Sequence, residues 1–207
     1  MKKTLLLSLA GTALAAPFLA HAADPNPGVH FILTGGLTDG GDTILTARYR
    51  NGYSDNIKSG GLVQLGAGVL VQMKDVPLAT SFTVNYHVDD ASARNGSLRF
   101  ERVPLELLAF YTGVERWRFG GGVRFVQSPK ATSDVDDEKE TLKFKNTTGA
   151  VLEAGFGITP SAWINVRYVS EKYRPKRFTA ANGVTTDVSG EPSIDGSHFG
   201  VNFLYQF

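Results

Sequence analysis

His87 and His198 are the first residues whose chemistry has to be weighed. An imidazole can serve as general base, but hydrolysis needs a nucleophile, a base and an orienting group that converge. His87 is followed by Val88-Asp89 and His198 by Phe199-Gly200, so neither lies in a compact His-x-Ser arrangement. Asp134, Asp136, Asp137, Glu138 and Glu140 form an acidic run that could collect divalent cations. It lacks the D-x-D-x-D-G spacing of a calcium loop, and charge runs are usually solvated. Arg174, Lys176 and Arg177 make a short basic cluster suited to phosphate, which Arg grips bidentately. Gly120-Gly121-Gly122 is no phosphate cradle, because strand patterns flank it and no helix follows. Asn146-Thr147-Thr148 matches a glycosylation sequon but is too short to carry weight. The chain has no cysteine, which excludes disulfides and thiolate metal sites. No residue is assigned to catalysis, to a metal or to a cofactor.

A different set of charges is scattered singly along the chain: Arg48, Asp89, Glu106, Arg118, Arg124, Glu153, Arg167 and Glu171. What they do depends on the elements that carry them. Those elements show a period of two, the mark of strands, whose successive side chains leave opposite faces. In the last stretch Phe199, Val201, Phe203, Tyr205 and Phe207 share one face, against His198, Gly200, Asn202, Leu204 and Gln206. The same alternation runs through 60–73, 80–90, 98–112, 116–127, 142–158 and 162–173. Val29–Leu37 and Thr43–Arg50 read as one interrupted first strand with a Gly-rich irregularity. Pro104 cannot donate to a ladder and predicts a bulge nearby. In the strand 142–158, Leu142, Phe144, Ala150 and Leu152 fall on the apolar face and Lys143, Lys145 and Glu153 on the polar one.

Eight strands result, with long connections after the odd-numbered strands and tight turns after the even ones. Ser128–Thr141 and Arg174–Asp195 are read as long polar loops. Met1-Lys2-Lys3, the apolar run that follows, and Ala20-His21-Ala22 read as a signal peptide over residues 1–22, leaving a barrel domain over 23–207. No later segment is apolar enough for a spanning helix, so any span must be made of strands closed into a barrel. A net charge of +1 provides no field to recruit nucleic acid. The fold class expected is all-β: a closed, antiparallel, up-and-down, eight-stranded transmembrane β-barrel. Its apolar set faces outward, and its scattered charges pair inside a narrow lumen where glycines make room. A soluble barrel would reverse those faces. The loop asymmetry, the export signal and the terminal aromatic face favour the membrane arrangement.

The signal peptide, the eight strands and the terminal Leu204-Tyr205-Gln206-Phe207 resemble small bacterial outer-membrane β-barrel proteins of the OmpW/OmpX-like kind, over about residues 28–207. The resemblance implies a Gram-negative outer-membrane location after signal cleavage. It also implies a monomer, with Tyr205 and Phe207 recognised by the barrel-assembly machinery during biogenesis. Outer-membrane lipid and lipopolysaccharide are the expected partners; Arg174, Lys176 and Arg177, just beyond the seventh strand, are read from their charge as either a contact for lipopolysaccharide phosphates or part of a generic solvated loop. The resemblance implies a non-enzymatic role, structural or surface-interacting, or binding and passage of a small apolar molecule. Two alternatives accompany it: a lipid A-modifying barrel enzyme, and a loop-mediated adhesin or defence protein. The deacylase kind of enzyme is similar in fold, but its His-x-Ser pattern is missing here. The palmitoyltransferase kind needs an apolar interior, where this lumen reads as polar.

Overall fold

The computed structural model describes residues 27–48, 54–93, 96–136 and 138–207. The expected signal peptide lies outside them. The strands are β1 (Gly28–Gly40), β2 (Thr43–Arg48), β3 (Ser54–Lys58), β4 (Leu62–Gln72), β5 (Leu78–Ala93), β6 (Gly96–Val114), β7 (Trp117–Val135), β8 (Glu138–Phe144), β9 (Thr147–Gly157), β10 (Ala162–Ser170), β11 (Lys172–Tyr173), β12 (Pro175–Thr179), β13 (Thr185–Asp187), β14 (Ile194–Asp195) and β15 (His198–Gln206). Eight of them form the wall in the order β1-β4-β5-β6-β7-β9-β10-β15. β1 closes it by pairing with β4 on one side and β15 on the other, Gly35 lying opposite both Leu65 and Phe203. Every pairing is antiparallel. The fold is therefore the closed eight-stranded transmembrane barrel that the alternation predicts.

The outward set is apolar around the whole circumference. Leu33, Leu65, Phe82, Leu107, Phe119, Leu152, Val166 and Phe203 are all exposed. On β15 the outward residues run from Phe199 to Phe207. At roughly 3.3 Å per residue and a tilt of about 40°, that run covers about 20 Å along the axis, close to the ~25 Å apolar band of such barrels. No helix among the described residues is long and apolar enough to cross a membrane. The inward set is polar at mid-height, with Arg124 and Arg167 buried.

Beyond the band the polarity inverts. The inward residues there are Phe100, Ala131, Phe144 and Tyr173, which pack into a dry cluster with Ile57 and Leu98. Phe100 meets Phe144 and Tyr173 edge-on at 5.7 and 5.3 Å between ring centroids. Outside, at the same height, stand Arg99, Lys143 and Arg174, all exposed. Water surrounds this part of the barrel, so it is built like a soluble protein.

Three expectations about connections are corrected. Val29–Leu37 and Thr43–Arg50 are not one interrupted strand: β1 is a wall strand, whereas β2 turns back against β3 as a separate hairpin. Gly41, with φ of 74°, makes the corner, and a Cβ there would sit 2.2 Å from Ser59 Oγ. The hairpin folds over the barrel mouth, where Ile57 is buried and Ile44 and Leu45 pack against the same cluster. The stretch 128–141 is no loop either, since β7 and β8 continue as a hairpin to the pair Val135–Glu138. Within 174–195, β12 extends that sheet by pairing with β8, β13 adds to β12, and β14 pairs with β11.

A further correction concerns side-chain direction. β7 pairs with β9 at Val126–Thr147 and with β8 at Lys130–Lys143, with no change of offset. Yet inward residues switch from even to odd on β7 between Val126 and Ala131, and from odd to even on the partner between Gly149 and Phe144. Ser128, with φ of 51°, turns the chain on one side. Asn146 holds the other, accepting from Ser128 N at 3.0 Å and donating to Gln127 at 2.5 Å. Against β6 the same twist appears as a register shift between Glu101 and Val103, beside Pro104. Hence Phe144 points in, and Lys143 and Lys145 point out, the reverse of strict alternation through 142–158.

Leu152→Arg, in mid-band on the outer wall, is expected to lower unfolding stability in lipid vesicles by about 2–4 kcal/mol. Thr186→Arg, exposed outside the band, should change it by less than about 0.5 kcal/mol in the same denaturant titration.

Candidate functional site

The concentration of chemistry is the charged layer that crosses the lumen. Six of its charges form an alternating chain: Glu171–Arg124 at 3.1 Å, Arg124–Glu106 at 2.8 Å, Glu106–Arg167 at 2.7 Å, Arg167–Glu153 at 3.6 Å and Glu153–Arg118 at 3.3 Å. All six side chains are at most 5 % exposed. The positions come from β6, β7, β9 and β10, with Glu171 just beyond β10. Inward alternation on four strands thus supplies one neutral network. Glu106 is its hinge, with one carboxylate oxygen accepting from Arg124 and the other from Arg167. Inside a low-dielectric wall such pairs offset a desolvation cost of several kcal/mol per ion.

Neutral side chains complete it. Arg124 donates to Gln64 at 3.0 Å, Gln64 donates to Asn85 at 3.2 Å, and Arg118 donates to Asn165 at 2.9 Å. The Asn202 carboxamide, with its oxygen turned toward Arg167, accepts at 2.9 Å. Glycine provides the room. A Cβ on Gly155 would lie 2.3 Å from Asn165 Oδ1 and 2.8 Å from Arg118 Nε, and one on Gly66 would lie 2.0 Å from Asn85 Oδ1. Beside the network lies a small cavity of about 20 Å³, with Thr34, Ser81, Thr83 and Asn85 on its polar side and Ile32, Leu108 and Leu204 on its apolar side. That suits roughly one water.

The layer is closed by aromatic rings at each end. Arg118 lies over Phe110 at 4.6 Å and Trp163 at 4.9 Å, where an apolar cluster with Ile32, Leu70 and Leu204 begins. Arg102 lies over Phe100 at 4.8 Å, at the floor of the opposite cluster. Cation–π contact lets each guanidinium border an apolar layer on the side turned away from the other charges.

Each residue singled out from the sequence has a definite place. Glu106, Arg118, Arg124, Glu153, Arg167 and Glu171 meet in the chain just described. Asp89 is buried nearby and accepts from Lys58 N at 2.8 Å, which anchors β3 rather than the charged chain. Arg48 is corrected: its backbone ends β2 in the hairpin, not in the wall, and its side chain lies outside the described residues. Arg174, Lys176 and Arg177 are exposed on and beside β12. Tyr205 and Phe207 are exposed, their rings 4.9 Å apart. Asp134, Asp136, Glu138 and Glu140 lie on the β7–β8 hairpin, and Asp137 lies outside the described residues. No group of His, Asp and Glu among the described residues has metal-binding geometry.

The two histidines are neighbours, with ring centroids 5.3 Å apart. His87 Nδ1 lies 2.9 Å from Arg124, which can only donate, so this nitrogen is the acceptor and the imidazole is neutral. Its Nε2 lies 2.8 Å from Thr38 Oγ1 and 3.1 Å from Arg102, so the ring is held between two guanidinium groups. His198 Nδ1 donates to the Gly196 carbonyl at 2.8 Å. Among the described residues no serine hydroxyl bonds to either ring, and both rings are buried. They are parts of the packed interior.

Alternation puts Gln64, Asn85, Asn165 and Asn202 on the polar face but does not join them to the charges. Arg102 is the residue of this layer that sequence reasoning passed over, although it shares parity with Glu106.

No protein-family model and no curated protein matches the sequence. Among solved structures, the chain is similar to Neisserial surface protein A, with a TM-score of 0.50 at 8% identity over 87% of this chain and 97% of that one. OprG, an outer-membrane protein from Pseudomonas aeruginosa, gives 0.48 at 13% identity over 89% and 98%. The outer-membrane protein AlkL gives 0.45 at 17% identity over 93% and 96%. At such identities the likeness is one of fold, the small outer-membrane type of barrel.

Glu106→Gln is expected to cost about 3–5 kcal/mol in denaturant unfolding from micelles, because it removes the carboxylate shared by Arg124 and Arg167 and leaves three buried guanidiniums against two carboxylates in the chain. Glu101→Gln, which breaks the partly exposed 2.7 Å pair with Lys130, should cost no more than about 1 kcal/mol.

Proposed function

We propose that this chain is a non-enzymatic integral outer-membrane protein that works through its outer surfaces, with a lumen serving as a structural core. The observation that carries this reading is the filled interior: six alternating buried charges, closed by apolar clusters on both sides. An apolar molecule moving down the axis would have to replace ion pairs with hydrocarbon, at a cost of several kcal/mol for each charge left unpaired. Passage through the lumen is therefore disfavoured against a structural or surface-interacting role. A lipid-modifying activity would need a reactive group accessible at the lipid face. His87 and His198 are buried and hydrogen-bonded within the interior, and the less buried His30 is bonded to the Phe207 carbonyl. The apolar wall supports a bilayer location, and the signal-like N-terminus supports export to the outer membrane. The terminal aromatic pair would serve recognition by the barrel-assembly machinery.

Expressed in a Gram-negative host, the protein should sediment with outer membranes and migrate differently on gels before and after heating in detergent. Planar bilayers containing it should show no conductance steps of porin size, because an eight-stranded interior is filled by side chains. The lipid A mass profile of expressing cells should match that of cells without it. Porin-size steps, or a new lipid A species, would refute the reading.

A further inference from the structure

Above the apolar band on one side, the outer wall changes from hydrocarbon-facing to cationic within a few residues. On β7 the outward series Phe119, Val123, Phe125 and Gln127 is followed by Lys130. Next to it, descending β9 and β8, Leu152, Ala150 and Thr148 give way to Lys145 and Lys143. The register sets Lys130, Lys143 and Arg177 side by side across β7, β8 and β12. Lys145 sits beside Arg174, whose carbonyl accepts from Lys145 N at 2.9 Å. Lys176 lies in the register shift between Pro175 and Arg177. The sequence shows only the three residues Arg174, Lys176 and Arg177. The switch of side-chain direction at Ser128 and Asn146 brings Lys130, Lys143 and Lys145 out to join them.

Like charges directly opposite one another destabilise a sheet. Lys130 is compensated by Glu101 at 2.7 Å. Lys143, Lys145, Arg174, Lys176 and Arg177 make no ion pair among the described residues. Asp187 lies opposite Arg177 and accepts from Ser189 N at 2.8 Å, and Asp134 lies farther along β7 on the same face, opposite Lys139. The row therefore carries a surplus of positive charge next to the apolar wall, at the height where lipid headgroups would lie. We infer that this row binds phosphate groups of outer-leaflet lipid headgroups, the β7–β8–β12 sheet presenting Lys and Arg side chains spaced about 5 Å apart by the strands. A soluble polyanion would have no need of a patch abutting the hydrocarbon band. This inference rests on the membrane reading above.

The test uses the full chain in detergent micelles, with native mass spectrometry counting bound diphosphoryl lipid A. Wild type should retain the lipid. K143Q/K145Q/R174Q/R177Q should bind at least tenfold more weakly while keeping heat-modifiable gel mobility. Enzymatically dephosphorylated lipid A should bind wild type as weakly as the intact lipid binds the variant. Raising salt from 0.1 to 1 M, which shortens the screening length from about 10 to about 3 Å, should release it. Equal binding by the variant, or equal binding of dephosphorylated lipid, overturns the inference. So does heparin binding as tight as lipid A binding, which would assign the row to a soluble polyanion. Absence of heat-modifiable mobility in the wild type would sink the membrane reading itself.

Discussion

Hydrocarbon around the wall is the constraint from which the rest follows. A lipid-facing side chain must be apolar, and a backbone group in the bilayer must be bonded within the protein. Closing the sheet at β1–β15 removes every free edge from the band. With the outside taken by Leu, Val and Phe, the other parity of each strand is released for polar groups. At mid-height that parity holds three carboxylates alternating with three guanidiniums. A narrow lumen makes the alternation compulsory, because a charge there has no water to retreat to.

The same reasoning explains why the barrel inverts above the band. There the solvent is water, and the cheapest interior is apolar. Phe100, Phe144 and Tyr173 take over the inward positions, and Lys and Arg take the outward ones. Arg102 and Arg118 mark the two borders of the charged layer, each stacked on aromatic rings of the apolar layer beyond it. The β2–β3 hairpin contributes Ile57 to the upper cluster and so shuts the mouth. Ser59, whose hydroxyl donates to the Asp195 carbonyl at 2.5 Å, ties that hairpin's end to the segment leading into β15.

Side-chain direction also links the interior to the surface. The switch at Ser128 and Asn146 turns Phe144 into the core and Lys143 and Lys145 onto the outer wall. One rung therefore serves both the dry cluster and the cationic row. Expectations about 142–158 failed there for a specific reason. Alternation assumes that every residue is extended; Lys145 and Asn146 lie between β8 and β9 outside either strand, and Ser128 opposite them has a positive φ.

Period-two patterning alone determined that strands such as β5, β10 and β15 exist, that they number eight around the wall, and that Leu65, Val166 and Phe203 face away from Arg124 and Arg167. These facts are legible because each depends on one strand and its solvent. Tertiary structure decided the rest: that β2 leaves the wall for a hairpin, that Glu106 joins Arg124 to Arg167, and that Lys130, Lys143 and Arg177 form one row. Each of these is a relation between strands distant in sequence. It is set by shear, bulges and closure of the cylinder, and no single strand carries that geometry in its own pattern.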